Sequence, residues 1–300
     1  MKRVLTGALC AATVAMLGAA LPAHAQSADT LSKISSSGKM TFAYRESSVP
    51  FSYLEGPEKP IGFAVDISNA IADAVRKQTG KSNLTVGWQA VTSANRIPLL
   101  QNGTIDLECG STTNNSARGK DVDFAINHFY TGTRLLVKKS SGIKNYADLK
   151  GTTVAITTGT TNMQVVRRYN EEKGLGINIV PTKDHADAAL LVEADRAAAF
   201  AMDDILLFGL KANAKDPASL EVVGDSLQVE PYACMIRKND PKFKALVDGV
   251  ITGMMKSGEF EKLYNKWFMQ PIPPRNQSIG LPMSKELQDN IKAPSDKPAT

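Results

Sequence analysis

Two hydrophobic periods take turns along the chain. Lys39–Tyr44 (KMTFAY) alternates polar and apolar positions, the two-residue period of a strand. Residues 66–77 instead carry Ile67, Ala70, Ile71, Ala74 and Val75, a stripe at helical spacing that Gly80 closes. The same reading predicts strands at 84–88, 104–109, 133–137, 153–156, 178–180, 198–202 and 232–237. It predicts helices at 97–100, with Pro98 in the first turn, and at 161–172, 186–193, 204–210, 241–255 and 259–268. Strands and helices in alternation point to α/β architecture with mostly parallel sheets flanked by helices. Residues 271–300 are Pro-rich and polar, the pattern of a tail strapped over a surface. No Gly/Ser linker, internal repeat or low-complexity tract marks a domain boundary.

The first 25 residues read as an address rather than as fold. Lys2 and Arg3 precede an apolar run from Val4 to Leu21, and Ala23-His24-Ala25 is an A-x-A cleavage site, so the exported chain should begin at Gln26. Leu9 is too bulky to precede a lipid-bearing cysteine, and Cys10 leaves with the leader. No later stretch approaches ~20 apolar residues, so the processed chain reads as soluble. Two cysteines remain, Cys109 and Cys234. In an exported protein that pair favours one disulfide, against two buried thiols.

Composition narrows the class. The 300 residues are 43% hydrophobic and 22% charged, with 22 Gly and 15 Pro, which excludes wholesale disorder, collagen and coiled coil. Loss of Lys2 and Arg3 with the leader lowers the formal net charge from +5 to +3. There is no dense Lys/Arg stripe of the nucleic-acid-binding kind, and a weak positive field suits a small anion. H-E-x-x-H, C-x-x-C, the phosphate-binding G-x-x-x-x-G-K-[ST] loop and the G-x-S-x-G elbow are all missing, and Gly174-Leu175-Gly176 lacks the third glycine of a dinucleotide loop. Neither a metal nor a cofactor is expected.

Three polar segments interrupt the apolar strands. Arg45-Glu46-Ser47-Ser48-Val49-Pro50-Phe51 follows the first strand, Thr92–Ile97 with Pro98 leads into a helix, and Gly110–Asn115 follows 104–109, with Arg118 just beyond. Ligands of open α/β sheets bind beyond the carboxyl ends of strands. Ser, Thr and Gly there offer hydroxyl and backbone donors, and Arg offers a planar fork for a carboxylate. Thr158-Gly159-Thr160-Thr161 repeats the theme at a helix N-terminus. The bland alternatives are turn formers, helix caps and solvated arginines.

RESSVPFSY, TSANRIPLLQNGTIDLECGSTTNN, DLKGTTVAITTGTT, AAAFAMDDILL and NKWFMQPIPP together resemble the periplasmic glutamate/aspartate-binding proteins of bacterial amino-acid ABC importers, solute-binding protein family 3. The resemblance runs from about Leu31 into the C-terminal tail. It implies a type II two-lobe clamshell with residues 26–130 plus 230–300 in a discontinuous first lobe and 131–229 in the second. Cys109 and Cys234 then share the first lobe. It implies an acidic amino acid as ligand, an inner-membrane permease as partner, and a monomer without enzymatic activity.

Residue by residue, the resemblance places Arg118 on the α-carboxylate, with Thr113 and Thr161 as further donors from opposite lobes. Asp203 takes the α-ammonium, with Asp204 as the alternative. Arg45, Ser93, Arg96 and His185 hold the side-chain carboxylate, and Ser111 contacts either end. These poles sum to three arginines against one aspartate, with His185 neutral, which disfavours a basic ligand. His185 has a second reading as a first-turn helix residue capped by Asp184. Phe51 is either a ligand-packing or a core residue. Glu108 would be the acid of a catalytic site, such as a dehydratase, or a hydrogen-bonded strand carboxylate. A sensor module feeding no transporter is the remaining alternative. Glutamate and aspartate differ by one methylene, worth about 1–3 kcal/mol, and the sequence does not rank them.

Overall fold

The structure, a computed structural model, describes residues 29–57 and 59–299. The expected leader, its cleavage site and Cys10 lie outside the described residues. The chain opens with α1 (Thr30–Ser37), β1 (Lys39–Tyr44), the short strands β2 (Ser47–Ser48), β3 (Ser52–Leu54) and β4 (Pro60–Ile61), then α2 (Phe63–Thr79), β5 (Thr85–Ala90), α3 (Arg96–Gln101) and β6 (Val122–Thr131). There follow β7 (Thr133–Lys138), β8 (Thr153–Thr157), α4 (Thr161–Lys173), β9 (Asn178–Thr182), α5 (His185–Glu193), β10 (Ala199–Asp203), α6 (Asp204–Asn213) and β11 (Leu220–Val223). The chain then runs through β12 (Glu230–Arg237), α7 (Pro241–Ser257), α8 (Glu259–Tyr264) and α9 (Lys285–Lys292).

These elements form two bodies. In one, β1 and β5 pair in parallel from Lys39↔Thr85 to Tyr44↔Ala90, and β6 pairs antiparallel with β12. In the other, five strands lie in the order β11-β7-β10-β8-β9. Among the described residues, two connections cross between them: β6 continues through Gly132 into β7, and the segment after β11 returns into β12. Gly132 is required at this crossing, because a Cβ there would stand 2.3 Å from the Gln228 carbonyl oxygen, a backbone atom that cannot rotate away. The parallel pairing expected from the alternation holds for β1–β5, β8–β9 and β8–β10. The sheets are mixed overall, because β7 and β12 enter from the crossings and run antiparallel to their neighbours.

Four sequence expectations change. Residues 104–109 do not build a strand: Leu107 bridges to Phe42 but Glu108 bridges to Met235, so the segment changes neighbour after one residue. The ten-residue β6 goes unpredicted because Asn127 and His128 interrupt its apolar run. Both are fully buried, with Asn127 Nδ2 donating to the Lys297 carbonyl and His128 Nδ1 bonded to the Tyr232 carbonyl. The helix expected at 259–268 runs as an α-helix to Tyr264 and then widens into a π-helical turn over Asn265–Met269. The tail does strap the surface, but it also contains α9, whose Leu287 and Asn290 are buried, and Ala299 N donates to the Asn114 carbonyl.

Burial of apolar side chains holds the first body together. Phe51 sits inside it, edge-on to Phe63, Phe129, Tyr232 and Phe268 at centroid distances of 4.9–6.0 Å, and so is a core residue. The single disulfide, Cys109–Cys234, ties the segment before Gly110 to β12 within this body.

Candidate functional site

The polar segments after the strands converge where the two bodies meet. Arg45 leaves the end of β1, and its head is 1% exposed. Its Nη2 donates to Asp184 Oδ1 at 2.7 Å and approaches His185 Nε2 at 3.2 Å, both from the N-terminus of α5 in the other body. A guanidinium can only donate, so His185 Nε2 accepts. The proton therefore sits on Nδ1, 2.9 Å from Thr157 Oγ1. Burial, then the charge of Arg45, pushes His185 down to about 3, so the ring is neutral. Asp184 is the helix cap that the sequence suggested, and its carboxyl is also the anion facing Arg45. Burial would raise Asp184, but Arg45 and His185 hold it below the usual carboxylate range.

Arg96 opens α3 and is 2% exposed. Its Nη1 donates to the Ser111 carbonyl at 3.3 Å and lies 3.9 Å from Glu108 Oε1. Burial and the charge of Arg118 push Arg96 down to about 9. Glu108 accepts through Oε2 from Thr112 Oγ1 at 2.6 Å, on a segment that is not a strand, while its Oε1 is buried without a hydrogen-bond partner. Ser111 Oγ donates to Ser48 Oγ at 3.3 Å. Ser93 is buried beside Gly159, where the two backbones touch: a Cβ on Gly159 would stand 2.8 Å from the Ser93 carbonyl carbon.

A second cluster faces these arginines. Arg118 Nη1 donates to the Thr113 carbonyl at 2.9 Å and Nη2 reaches the Gly159 carbonyl of the other body at 3.2 Å. Thr113 Oγ1 and Thr161 Oγ1, one from each body, lie 3.4 Å apart. Both hydroxyls donate to Glu230 Oε2, at 2.5 and 2.6 Å. Asp203 is 2% exposed, and its Oδ1 accepts from Asn162 Nδ2 at 2.7 Å while its Oδ2 accepts from the Tyr232 hydroxyl. Burial, and then the neighbouring Glu230, raise Asp203 well above the ordinary carboxylate range. Asp204 is turned elsewhere, accepting from Thr131 Oγ1 and the Ile205 amide, both at 2.7 Å.

Seven of the nine residues singled out from the sequence touch the other body, whereas Arg96 and Ser111 bond within the first body alone. The charge sum changes. Asp184, Glu108 and Glu230 join Asp203, so carboxylates stand beside arginines in both clusters and there is no plain cationic excess. His185 bonds Arg45 rather than standing free, and the Thr113 and Thr161 protons are engaged by Glu230. Asn162, Tyr232 and Glu230 were not found from sequence. The one available signal was β12 itself, whose two-residue period puts Glu230 and Tyr232 on one face. Among the described residues, no group of three or more His, Cys, Asp or Glu could hold a metal ion.

Buried guanidinium N–H groups remain without a partner: Arg45 Nε and Nη1, and Arg96 Nε. Unpaired charged donors cost several kcal/mol in an interior, roughly what an anion would recover by binding them. The arrangement can therefore hold a small molecule with carboxylates at the arginines and an ammonium near Asp203.

Residues 40–270 match the family described as bacterial extracellular solute-binding proteins, family 3. A glutamate/aspartate import solute-binding protein of Salmonella typhimurium is 49% identical over 268 residues, 89% of this chain and 89% of the relative. An L-glutamate/L-aspartate-binding protein of Pseudomonas aeruginosa is 46% identical over 298 residues, 99% of each chain. Among solved structures, a mutant of ArgBP from T. maritima superimposes with a TM-score of 0.72 at 27% identity, covering 80% of this chain and all of that one.

Proposed function

The chain belongs to family 3 of the bacterial extracellular solute-binding proteins, and from that premise we propose that it captures L-glutamate or L-aspartate by lobe closure and delivers it to an ABC permease. The observation that carries the ligand class is the pair of buried guanidinium groups, Arg45 and Arg96, with unsatisfied N–H donors. A side-chain carboxylate would take those donors, with Ser93 and Ser111 beside it, while Arg118 takes the α-carboxylate. Asp203 would take the α-ammonium. His185 acts through Arg45, which it holds by Nε2.

The lobes in this reading are residues 26–130 plus 230–300 and residues 131–229, joined at Gly132 and ahead of β12. A ligand held by Arg118 from the first lobe and Asp203 from the second is fully contacted only when the lobes close, so binding shifts the population toward the closed form. The chain would act in the periplasm as a monomer after loss of its leader, and it would release its ligand chemically unchanged.

Isothermal titration of residues 26–300, refolded to strip endogenous ligand, tests this against L-glutamate, L-aspartate, L-glutamine and L-arginine. One-to-one binding of the two acids alone is the expected result. Tighter binding of glutamine or arginine overturns the assignment of the arginine poles. Recovery of a chemically altered acid overturns the non-catalytic reading.

A further inference from the structure

Glu230 belongs to neither pole as the sequence defined them. It is completely buried at the start of β12, where the chain re-enters the first body, and it receives three hydrogen bonds: from Thr113 Oγ1, from Thr161 Oγ1 and, at its other oxygen, from Gln228 Nε2. A carboxyl surrounded by donors is acceptor-only in its ionised form. Each threonine hydroxyl has a single proton, and here both protons point at Glu230. What remains on Thr113 and Thr161 is lone pairs. Such a hydroxyl can accept from an ammonium but can no longer donate to a carboxylate.

We infer that Glu230 is a positioning residue that sets the polarity of Thr113 and Thr161, turning both hydroxyls into acceptors for the ligand's α-ammonium. The inference rests on the reading of the site as an amino-acid site, and it reverses the donor role that the sequence suggested for the two threonines. Asp203 stands in the same cluster through Tyr232, two residues along β12 from Glu230, so one face of one strand organises both carboxylates of the cluster. Because Thr113 comes from one body and Thr161 from the other, the Glu230 carboxylate also completes this acceptor pair only when the bodies are together.

The test compares L-glutamate with glutarate, the same diacid without its ammonium, by titration of residues 26–300. The native chain should prefer glutamate. In Glu230→Gln the amide donates to a threonine and frees a hydroxyl proton. The glutamate-over-glutarate preference should then fall by roughly tenfold or more, with glutarate affinity held, as expected for losing hydrogen bonds to a charged group. A purely structural role would weaken both ligands by the same factor, and that result overturns the inference. Thr161→Val checks it with the carboxyl at 230 kept in place: glutamate should weaken while glutarate does not, and equal weakening of both would mean that the hydroxyl serves a carboxylate. If the native chain binds neither ligand, the amino-acid reading itself fails and takes the inference with it.

Discussion

Arg45 Nη2 lies 2.7 Å from Asp184 Oδ1, a buried ion pair formed between the end of β1 in one body and the cap of α5 in the other. The pair uses one nitrogen of the guanidinium for Asp184 and His185, leaving Nε and Nη1 for a ligand. Arg45→Met keeps side-chain volume and removes the charge. It should weaken L-glutamate binding by roughly a hundredfold, the scale of breaking a buried charge-assisted contact. Titration of the variant decides, and a loss under about fivefold would remove Arg45 from the ligand site.

Histidine titration makes a second prediction. His128 and His185 are both pushed by burial down to about 3 from 6.5. Between those values the unfolded chain binds more protons than the folded one, so each histidine withdraws stability as pH falls from 6.5 toward 3. The slope is about 1.4 kcal/mol per pH unit for each ring. Asp203, whose pKa is raised, acts in the opposite sense, so the histidine effect is best read as a difference. His128→Gln retains a donor toward the Tyr232 carbonyl and removes the titration. The gap in unfolding free energy between this variant and the native chain should shift in the variant's favour as pH falls below 6.5, measured by urea melts. A constant gap would refute the buried neutral His128. For the same reason, glutamate affinity should show no inflection at 6.5 from His185.

How much of this was legible in the sequence differs from element to element. β1 and α4 follow from local periodicity, because each buries a face of its own, and β10 follows from an apolar run that is buried on both faces. β6 does not, since Asn127 and His128 are satisfied by Lys297 and Tyr232, partners that no local window contains. The arginines are assigned to a ligand through the family resemblance, since position after a strand alone fits a solvated surface arginine as well. Glu230 could not be picked out: its hydroxyl partners lie 117 and 69 residues away in sequence, and nothing local distinguishes it from an ordinary strand-edge acid. The same limit hid the tautomer of His185, which depends on Arg45 from the opposite body.

The disulfide supplies a third prediction, concerning stability. Cys109 and Cys234 are 125 residues apart, and closing a loop of that size removes about 4–5 kcal/mol of unfolded-state entropy in the chain-entropy model. Replacing both cysteines by serine should lower the unfolding free energy by about 2–5 kcal/mol, the range seen when native bridges are removed. Denaturant melts check this, and an unchanged midpoint would show that the bridge carries little of the fold's stability.

Closure itself can be tested at Gly209. This glycine lies in α6 of the second body, and a Cβ added there would stand 2.4 Å from the Val49 carbonyl oxygen of the first body. Its φ is not positive, so alanine suits the helix and favours it by about 1 kcal/mol over glycine. Gly209→Ala should therefore leave the unliganded chain at least as stable as the native one. The contact with Val49 is backbone, which cannot rotate away, so the bodies must stay apart or shift. Glutamate affinity should fall by roughly tenfold or more, since the ligand then loses contacts that only the closed form makes. Small-angle scattering should also show less compaction on adding glutamate. Full affinity and full compaction in Gly209→Ala would mean that the approach of α6 to Val49 plays no part in holding the ligand.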